Sequence, residues 1–187
     1  VESTDWITVN DGEQEFVGYD KLSTPAHILR YRQVKQKNKE YYQIILSATP
    51  FYAEMGGQVG DSGTLTSADG ETIEVFDTKR ENGIGVQLTH KLPANIEGEF
   101  TATVNEAARR ATSCNHTATH LLHEALREVL GTHVEQKGSF VSPDLLRFDF
   151  SHFQKVTPEE LRKVEHIANR KVREAIARDE RRNVPID

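Results

Sequence analysis

The stretch Asn115-His116-Thr117-Ala118-Thr119-His120-Leu121-Leu122-His123 lies within a run from residue 105 to residue 130 that contains no glycine or proline. Asn105 can cap the start of a helix, and Gly131 can end it. Apolar side chains also recur along the run with the spacing of one helical stripe, at Leu122, Ala125, Leu126 and Val129. The run therefore predicts one long helix that packs this stripe against a core.

Two histidines of this helix are placed to act together. His116 and His120 are four residues apart, so their side chains project from one face about one turn apart. Two imidazoles in that arrangement can bind the same metal ion. Histidines with purely structural roles can have the same spacing, so the pair alone leaves both interpretations open. His123 follows on the same face, and we interpret it as structural rather than as a third ligand.

The chain before the helix, residues 1–104, is rich in short candidate strands separated by turn-forming residues. Residues 26–34 and 41–48 are joined by a polar turn and predict a hairpin. The other candidate strands are residues 6–9, 63–67, 72–78, 84–89 and 99–104. Many short strands linked by turns are typical of a small β-barrel.

A glycine-rich stretch, Gly56-Gly57-Gln58-Val59-Gly60-Asp61, falls between two of these strands. Glycine lets a backbone turn sharply or come close to another group. The stretch is therefore either a turn at a corner of the barrel or a place where the backbone approaches another chain or a nucleotide.

The chain after the helix predicts a hairpin and a second helix. Residues 132–141 and 145–150 flank a turn, and their alternation places Arg147 and Asp149 on one face, with Phe148 and Phe150 toward the core. Thr157-Pro158-Glu159-Glu160 has the residues of a capping box and should begin a helix that ends near Arg181, before Val184-Pro185. The expected buried stripe of that helix is Leu161, Val164, Ile167, Ala168, Val172 and Ile176.

The predicted fold class is α+β. A small β-barrel subdomain over residues 1–104 is followed, over residues 105–187, by helices packed on an antiparallel sheet. The single cysteine, Cys114, excludes an intrachain disulfide and fits a reducing, cytoplasmic location. No apolar run reaches membrane-spanning length, so we expect no membrane partner. The sequence begins at Val1 without an initiator methionine, and we expect it to be a piece of a longer protein.

Charge is distributed unevenly along the chain. Residues 1–100 hold 9 Lys and Arg against 16 Asp and Glu, a net −7, whereas residues 101–187 hold 14 against 13, a net +1. Alternating charges on a long helix more often form a solvated surface than a binding site for phosphates. Charge alone therefore does not decide whether the chain binds nucleic acid. The side chains that could face phosphates are Arg109, Arg110, Lys137, Arg147, Arg170, Lys171 and Arg173.

Three stretches resemble, in order, motifs of the editing domain of the alanyl-tRNA synthetase family. The first is Thr49-Pro50-Phe51-Tyr52-Ala53-Glu54-Met55-Gly56-Gly57-Gln58-Val59-Gly60-Asp61, in which Met55 stands where a small residue is commoner. The second is the helical stretch Asn115 to His123, followed by Gly131-Thr132-His133-Val134-Glu135-Gln136-Lys137-Gly138-Ser139. The third is Leu146-Arg147-Phe148-Asp149-Phe150. The resemblance covers nearly the whole chain and implies the second-additional-domain fold that threonyl- and alanyl-tRNA synthetases share.

The resemblance implies a zinc site in which His116 and His120 are two of the ligands. In the family, the other ligands come from a Cys-x-x-x-His element farther along, and this sequence stops at Asp187 before such an element. We therefore expect half of a metal site, and an inactive or weakly active fragment. ATP and magnesium are expected only in the aminoacylation domain, which this sequence does not include.

The resemblance also implies a substrate and a reaction. The expected activity is hydrolysis of tRNA(Ala) mischarged with serine or glycine, with no role for DNA. By motif match, Thr119 and Gln136 are the expected catalytic residues, which discriminate between amino acids. The expected substrate-binding residues are Gly56, Gly57, Gln58 and Arg147, with the glycine-rich loop near the catalytic cleft and with Glu54 and Asp61 as further polar contacts.

Two alternatives remain open at this point. One is a free-standing aminoacyl-tRNA deacylase or a threonyl-type editing domain, both of which share the His-x-x-x-His helix. The other is a non-catalytic, metal-free tRNA-binding module in which His116 and His120 are structural.

Overall fold

Alternating apolar residues and tight turns make the first half of the chain a β structure. The computed structural model describes residues 1–55 and 57–182, with side chains described as far as Arg178. The chain divides into two compact units, Val1–Arg110 and Ala111–Asp187. Within the described residues the strands of the first unit are β1 (Glu2–Ser3), β2 (Ile7–Thr8), β3 (Glu15–Phe16), β4 (Ser23–Gln36), β5 (Lys39–Leu46), β6 (Ala48–Thr49), β7 (Gly63–Ser67), β8 (Thr72–Glu81), β9 (Ile84–Thr89) and β10 (Glu99–Val104).

The predicted barrel is confirmed. Strands β4, β10, β7, β8, β9 and β5 are antiparallel neighbours in that order, and β5 pairs again with β4, which closes the ring. The interior is filled by apolar side chains that include Ile28, Ile44, Leu65, Val75 and Phe100. Closure removes the exposed sheet edges that an open sheet of this size would present.

The predicted strand bounds agree best with the structure where the alternation of apolar and polar residues and the flanking turns are both clear. Residues 63–67, 84–89 and 99–104 are strands with the predicted ends, whereas the segment predicted over residues 6–9 is reduced to β2. The sequence interpretation missed β1, β3 and β6. Each has two residues, which is too short for a recognisable alternation.

The second unit contains a long helix, a hairpin and a second helix. Helix α1 (Glu106–Leu130) begins in the first unit and continues through the second. Its bounds agree with the prediction, because the side-chain oxygen of Asn105 accepts a hydrogen bond from the Ala108 amide at 3.1 Å and Gly131 ends the helix with a φ of 119°. Strands β11 (Glu135–Val141) and β12 (Leu146–Ser151) form the predicted hairpin, and α2 (Pro158–Arg182) follows.

The core of the second unit is made by α1, the hairpin and α2. Ala125, Leu126, Val134 and Val164 are buried there, and Phe148 and Phe150 pack against them as predicted. The capping box of α2 is also present: the Glu160 amide donates to the Thr157 hydroxyl at 3.1 Å, and the Thr157 amide donates to the Glu160 carboxylate at 3.0 Å.

The predicted buried stripe of α2 was wrong at both ends. Leu161 and Ile176 are 51% and 55% exposed. Leu161 lies in the first turn, and Ile176 is twelve residues after Val164, which on a helix of 3.6 residues per turn carries it about 120° around the axis. Among the described residues, neither helix combines the length and the apolar character needed to cross a membrane.

The division between the two units lies six residues later in the chain than the boundary expected after residue 104. The first turn of α1 belongs with the barrel, because Arg109 donates to Asp61 and to the carbonyl oxygens of Gly18 and Pro50. Gly56, an expected substrate-binding residue, and Val184-Pro185, expected to follow the end of α2, lie outside the described residues.

Candidate active site

The two histidines of the central helix converge at their ring tips. The Nε2 atoms of His116 and His120 are 3.2 Å apart, and the rings are nearly perpendicular, with an angle of 86° between their planes. Both side chains are exposed. The helix therefore presents two imidazole nitrogens to the same point in solvent, as the sequence spacing predicted.

This separation fits a shared zinc ion. Imidazole nitrogens bind zinc at about 2.0–2.1 Å in a tetrahedral arrangement, which places two such nitrogens roughly 3.3 Å apart. The observed distance of 3.2 Å is close to that value. Among the side chains described, those of residues 1–55 and 57–178, no further His, Cys, Asp or Glu joins the pair to make a group of three that could hold a metal ion. The described residues therefore offer two ligands.

His123 has a different environment from the two histidines before it. Its Nε2 atom is 3.4 Å from the carbonyl oxygen of Val134, and its ring lies 5.5 Å from that of Phe148. The side chain is partly buried against the hairpin. These contacts agree with the structural role inferred from the sequence.

Thr119, which lies between the two histidines in the sequence, is buried. Its hydroxyl donates to the carbonyl oxygen of Asn115 at 2.9 Å, and only 5% of the residue is exposed. The hydroxyl proton is therefore used within the helix, and the oxygen retains its capacity to accept a hydrogen bond. Thr117, between the two histidines in sequence, is exposed.

Asn115 fixes the turn of the hairpin against the helix. Its side-chain amide donates to the carbonyl oxygen of Ser142 at 2.7 Å. The sequence interpretation quoted Asn115 within the helical motif but gave it no role. Its contact partner lies 27 residues away in the chain, so no local pattern could reveal it.

Gln136 is exposed on β11, where its side-chain amide donates to the Ser139 hydroxyl at 2.9 Å. The pairing register shifts between Gln136 and Gly138, so Lys137 is the extra residue of a β-bulge. A bulge redirects the side chains beside it. The side-chain carbonyl oxygen of Gln136 has no protein hydrogen bond among the described contacts and can accept one from a ligand.

Arg147, the other expected substrate contact of this unit, lies on the exposed face of β12. Its Nε atom is 3.3 Å from the Asp149 carboxylate, and both side chains are more than half exposed. An exposed pair of this kind exchanges readily with solvent and contributes little to stability. The guanidinium therefore retains donors for a ligand.

The glycine-rich stretch belongs to the barrel unit. Gly57 has a φ of 82°, a conformation that favours glycine, and the Gln58 amide donates to the Met55 carbonyl oxygen at 3.2 Å. The Asp61 carboxylate accepts from the Tyr52 amide at 2.7 Å and from Arg109. Asp61 was expected to contact substrate, but its carboxylate is 9% exposed and is held inside the barrel unit.

Apart from Arg173, the other cations that were expected to face phosphates also have acidic partners among the described residues. Arg109 pairs with Asp61, and the expectation that it faces a phosphate was wrong, because its guanidinium is directed into the barrel. Arg110 pairs with Glu106 in the first unit. Three pairs reduce the positive potential of the second unit: Lys137 with Glu135, Arg170 with Glu174, and Lys171 with Glu124.

A further charged cluster lies beside the glycine-rich stretch. Burial raises the pKa of Asp77, even though the Gly60 and Thr78 amides donate to its carboxylate and Lys79 lies nearby. Hydrogen bonding to Glu54 raises the pKa of Lys79. Glu54, another expected substrate contact, is therefore paired within the barrel unit.

Comparison with known proteins identifies the class of protein to which this chain belongs. Residues 2–109 match the family of tRNA synthetases class II (A). Over its whole length the chain is similar to proteins named alanine-tRNA ligase, with 61% identity to that of Porphyromonas gingivalis, 64% to that of Parabacteroides distasonis and 60% to that of Bacteroides fragilis; each alignment covers 100% of this chain and 21% of the relative.

The chain therefore belongs to the class II tRNA synthetases. Within that class it belongs with the alanine-tRNA ligases, and it spans about a fifth of the length of these relatives.

Proposed function

We propose that this chain carries most of an editing site that hydrolyses tRNA(Ala) mischarged with serine or glycine. The site would serve a longer enzyme that attaches alanine to tRNA(Ala) with the use of ATP. The observation that carries the proposal is the 3.2 Å separation of the His116 and His120 Nε2 atoms on one exposed helical turn. That separation suits a shared zinc ion.

His116 and His120 would hold the zinc ion, with further ligands from outside the described residues. When bound, the ion would act as a Lewis acid toward the ester that joins the amino acid to the terminal ribose. Gln136 is suited to bind the substrate, because its side-chain carbonyl oxygen can accept a hydrogen bond on the exposed face of β11. Thr119 donates to the Asn115 carbonyl oxygen within the helix, and its hydroxyl would offer one acceptor oxygen.

The selectivity of the editing site for serine over alanine would depend on the acceptor oxygens of Gln136 and Thr119. A synthetic pocket built for alanine cannot exclude the smaller glycine by size, and it rejects an added hydroxyl by only about 100-fold in comparable cases. A second site that pairs with the serine hydroxyl would leave its own polar groups unsatisfied if alanine entered. Alanyl-tRNA would then be spared.

A free-standing deacylase and a metal-free tRNA-binding module were the alternatives. The whole-length similarity to alanine-tRNA ligases disfavours the first. The ion pairing of Arg109, Lys137 and Lys171 removes much of the positive surface that a module relying on phosphate contacts would need. ATP and magnesium would belong to the aminoacylation part of the longer enzyme.

The test is hydrolysis of Ser-tRNA(Ala). It is measured with this chain and with a full-length alanine-tRNA ligase that carries the same editing residues. We expect little activity from the chain alone, and a loss of at least about 100-fold in the long enzyme when His116→Gln and His120→Gln are combined.

The matched control is His166→Gln, because His166 is an exposed histidine of α2, whereas the pair lies on α1. It should leave hydrolysis unchanged. Undiminished hydrolysis by the double variant of the long enzyme would refute the proposal.

A further inference from the structure

Where the hairpin opens, Phe153 stacks on two imidazoles that lie side by side at hydrogen-bond distance. This stacked ring cluster consists of His133, just before β11, and His152 and Phe153, just after β12. The ring centroids are 4.9 Å apart for His133 and His152, 4.4 Å for His133 and Phe153, and 5.3 Å for His152 and Phe153. The angles between the planes are 22°, 29° and 27°.

One contact between the two imidazoles and one hydrogen bond between the strand ends hold the rings of the cluster in place. The Nε2 atom of His133 lies 2.7 Å from the Nδ1 atom of His152. The Glu135 amide donates to the Ser151 hydroxyl at 3.3 Å, which ties the two strand ends together directly beneath. The rings are therefore organised by the hairpin before any ligand binds, and binding on them need not order the side chains first.

The outer ring of the cluster is open to solvent. Phe153 is 78% exposed, although it is one of the largest apolar side chains of the unit. An isolated exposed phenylalanine is unremarkable, but this one is held nearly parallel to two imidazoles. A planar ligand can extend the stack on it.

The cluster is separate from the histidine pair of α1. His133 follows Gly131, which is eleven residues after His120. At 1.5 Å per helical residue, the helix end is about 16 Å from His120 along the axis. The two sets of rings cannot contact the same small ligand.

The charged groups nearest the cluster have both signs. The exposed Arg127 donates from Nη2 to the Thr132 carbonyl oxygen at 3.0 Å, which places its guanidinium beside the turn that carries His133. Glu160 lies in the first turn of α2, eight residues after His152. An anionic backbone would therefore approach from the side of Arg127.

We infer that the stacked ring cluster binds an unpaired nucleobase of an RNA, with the base stacked on Phe153 and the adjoining phosphate beside Arg127. Every base offers a π face, and aromatic side chains bind single-stranded RNA in this way. A protein partner is disfavoured, because one ring flanked by Ser151, Gln154 and Lys155 does not make an extended apolar patch. The choice of RNA rests on the proposed function.

The experiment measures binding without catalysis. The probe is an RNA hairpin with an unpaired four-nucleotide 3′ end that contains 2-aminopurine, whose fluorescence is quenched when it stacks. A second probe carries 2-aminopurine in the paired stem of a blunt-ended hairpin. With this chain we expect quenching of the first probe and little change in the second.

Variants at one position separate stacking from simple apolar contact. Phe153→Ala and Phe153→Leu should both weaken binding of the first probe, the former by roughly 5- to 150-fold, whereas Phe153→Trp should retain it. Tyr19→Ala is the matched control, because Tyr19 is an equally exposed aromatic residue of the barrel unit, at 86%. Circular dichroism checks that each variant is folded.

Several results would overturn the inference: no quenching by the unmodified chain, binding by Phe153→Ala equal to that of the unmodified chain, or full retention by Phe153→Leu. The proposed function is tested separately by hydrolysis in the His116 and His120 variants. Loss of hydrolysis there with no stacking at Phe153 would leave the editing site supported and this inference refuted.

Discussion

The guanidinium of Arg109 and the carboxylate of Asp61 form an ion pair that joins the first turn of α1 to the loop before β7. The Nε atom of Arg109 is 3.0 Å from Oδ2 of Asp61, and the same guanidinium also donates to the Pro50 carbonyl oxygen at 2.8 Å. The carboxylate is 9% exposed. A buried charge of this kind is tolerated because its partner is present.

Replacing Arg109 should therefore destabilise the barrel unit strongly. Arg109→Ala leaves the Asp61 carboxylate buried without its cation, and we expect a loss of about 3 kcal/mol in the free energy of unfolding, measured by urea denaturation. Arg110→Ala is the neighbouring control, because Arg110 pairs with Glu106 on the surface, where the arginine side chain is 78% exposed. That control should cost less than about 0.5 kcal/mol. Equal losses of unfolding free energy in the two variants would contradict the role of Arg109 as the partner that stabilises the buried Asp61 carboxylate.

Gly60 should tolerate no side chain. A Cβ atom there would lie 2.0 Å from the carbonyl oxygen of Thr78, and that backbone cannot move without disturbing β8. We expect Gly60→Ala to lower the free energy of unfolding by about 3 kcal/mol or more. Gly70→Ala makes a useful comparison, since Gly70 has a φ of 87° but no neighbour within 4 Å. Only its backbone strain remains, and the cost there should be about 1 kcal/mol.

The stability of the barrel unit should depend on pH through Asp77. Burial raises the pKa of this carboxyl above its ordinary value of 3.8. In the range just above that value the folded state therefore holds more protons than the unfolded state, and stability falls as the pH rises through that range. Asp77→Asn keeps the side-chain oxygen that accepts from Gly60 and Thr78 and removes the ionisation.

Urea denaturation between pH 3 and pH 7 tests this. The stability of the unmodified chain should decline relative to that of Asp77→Asn as the pH rises, with most of the change above pH 3.8. A difference between the two proteins that is constant across this range would show that ionisation of Asp77 is not linked to folding.

Zinc binding should depend on both histidines of the pair. Equilibrium dialysis of the chain against zinc should detect a site that weakens by at least about tenfold with either His116→Gln or His120→Gln, because each removes a ligand. Cys114→Ser is the control on the same helix, since Cys114 is exposed and lies two residues before His116. A weakening by Cys114→Ser comparable with that of the histidine variants would instead make the thiol a ligand.

The local elements were the most predictable part of the structure. The uninterrupted run from Asn105 to Gly131, and the capping box at Thr157, fixed the starts of both helices because capping depends on residues within one turn. The spacing of His116 and His120 likewise predicted their convergence, because helical geometry alone brings residues four apart together.

Contacts between distant residues were not predictable in the same way. Asp61 and Arg109 are 48 residues apart in the chain. Each was predicted to contact a ligand, because the sequence around a charged residue does not show which distant residue it pairs with. Ile176 was expected in the core for a related reason, since an apolar residue near a stripe is buried only where another element covers it.

By itself, the sequence determined the class of fold, the helix that carries the histidine pair and the residues at which the two helices begin, because these depend on backbone preferences and on neighbours within a few residues. Only the tertiary structure decided which charges are neutralised inside the barrel, which cations remain at the surface and that His133, His152 and Phe153 stack. Those outcomes depend on side-chain contacts between residues 19 or more positions apart, and contacts of that kind are set by the whole chain at once.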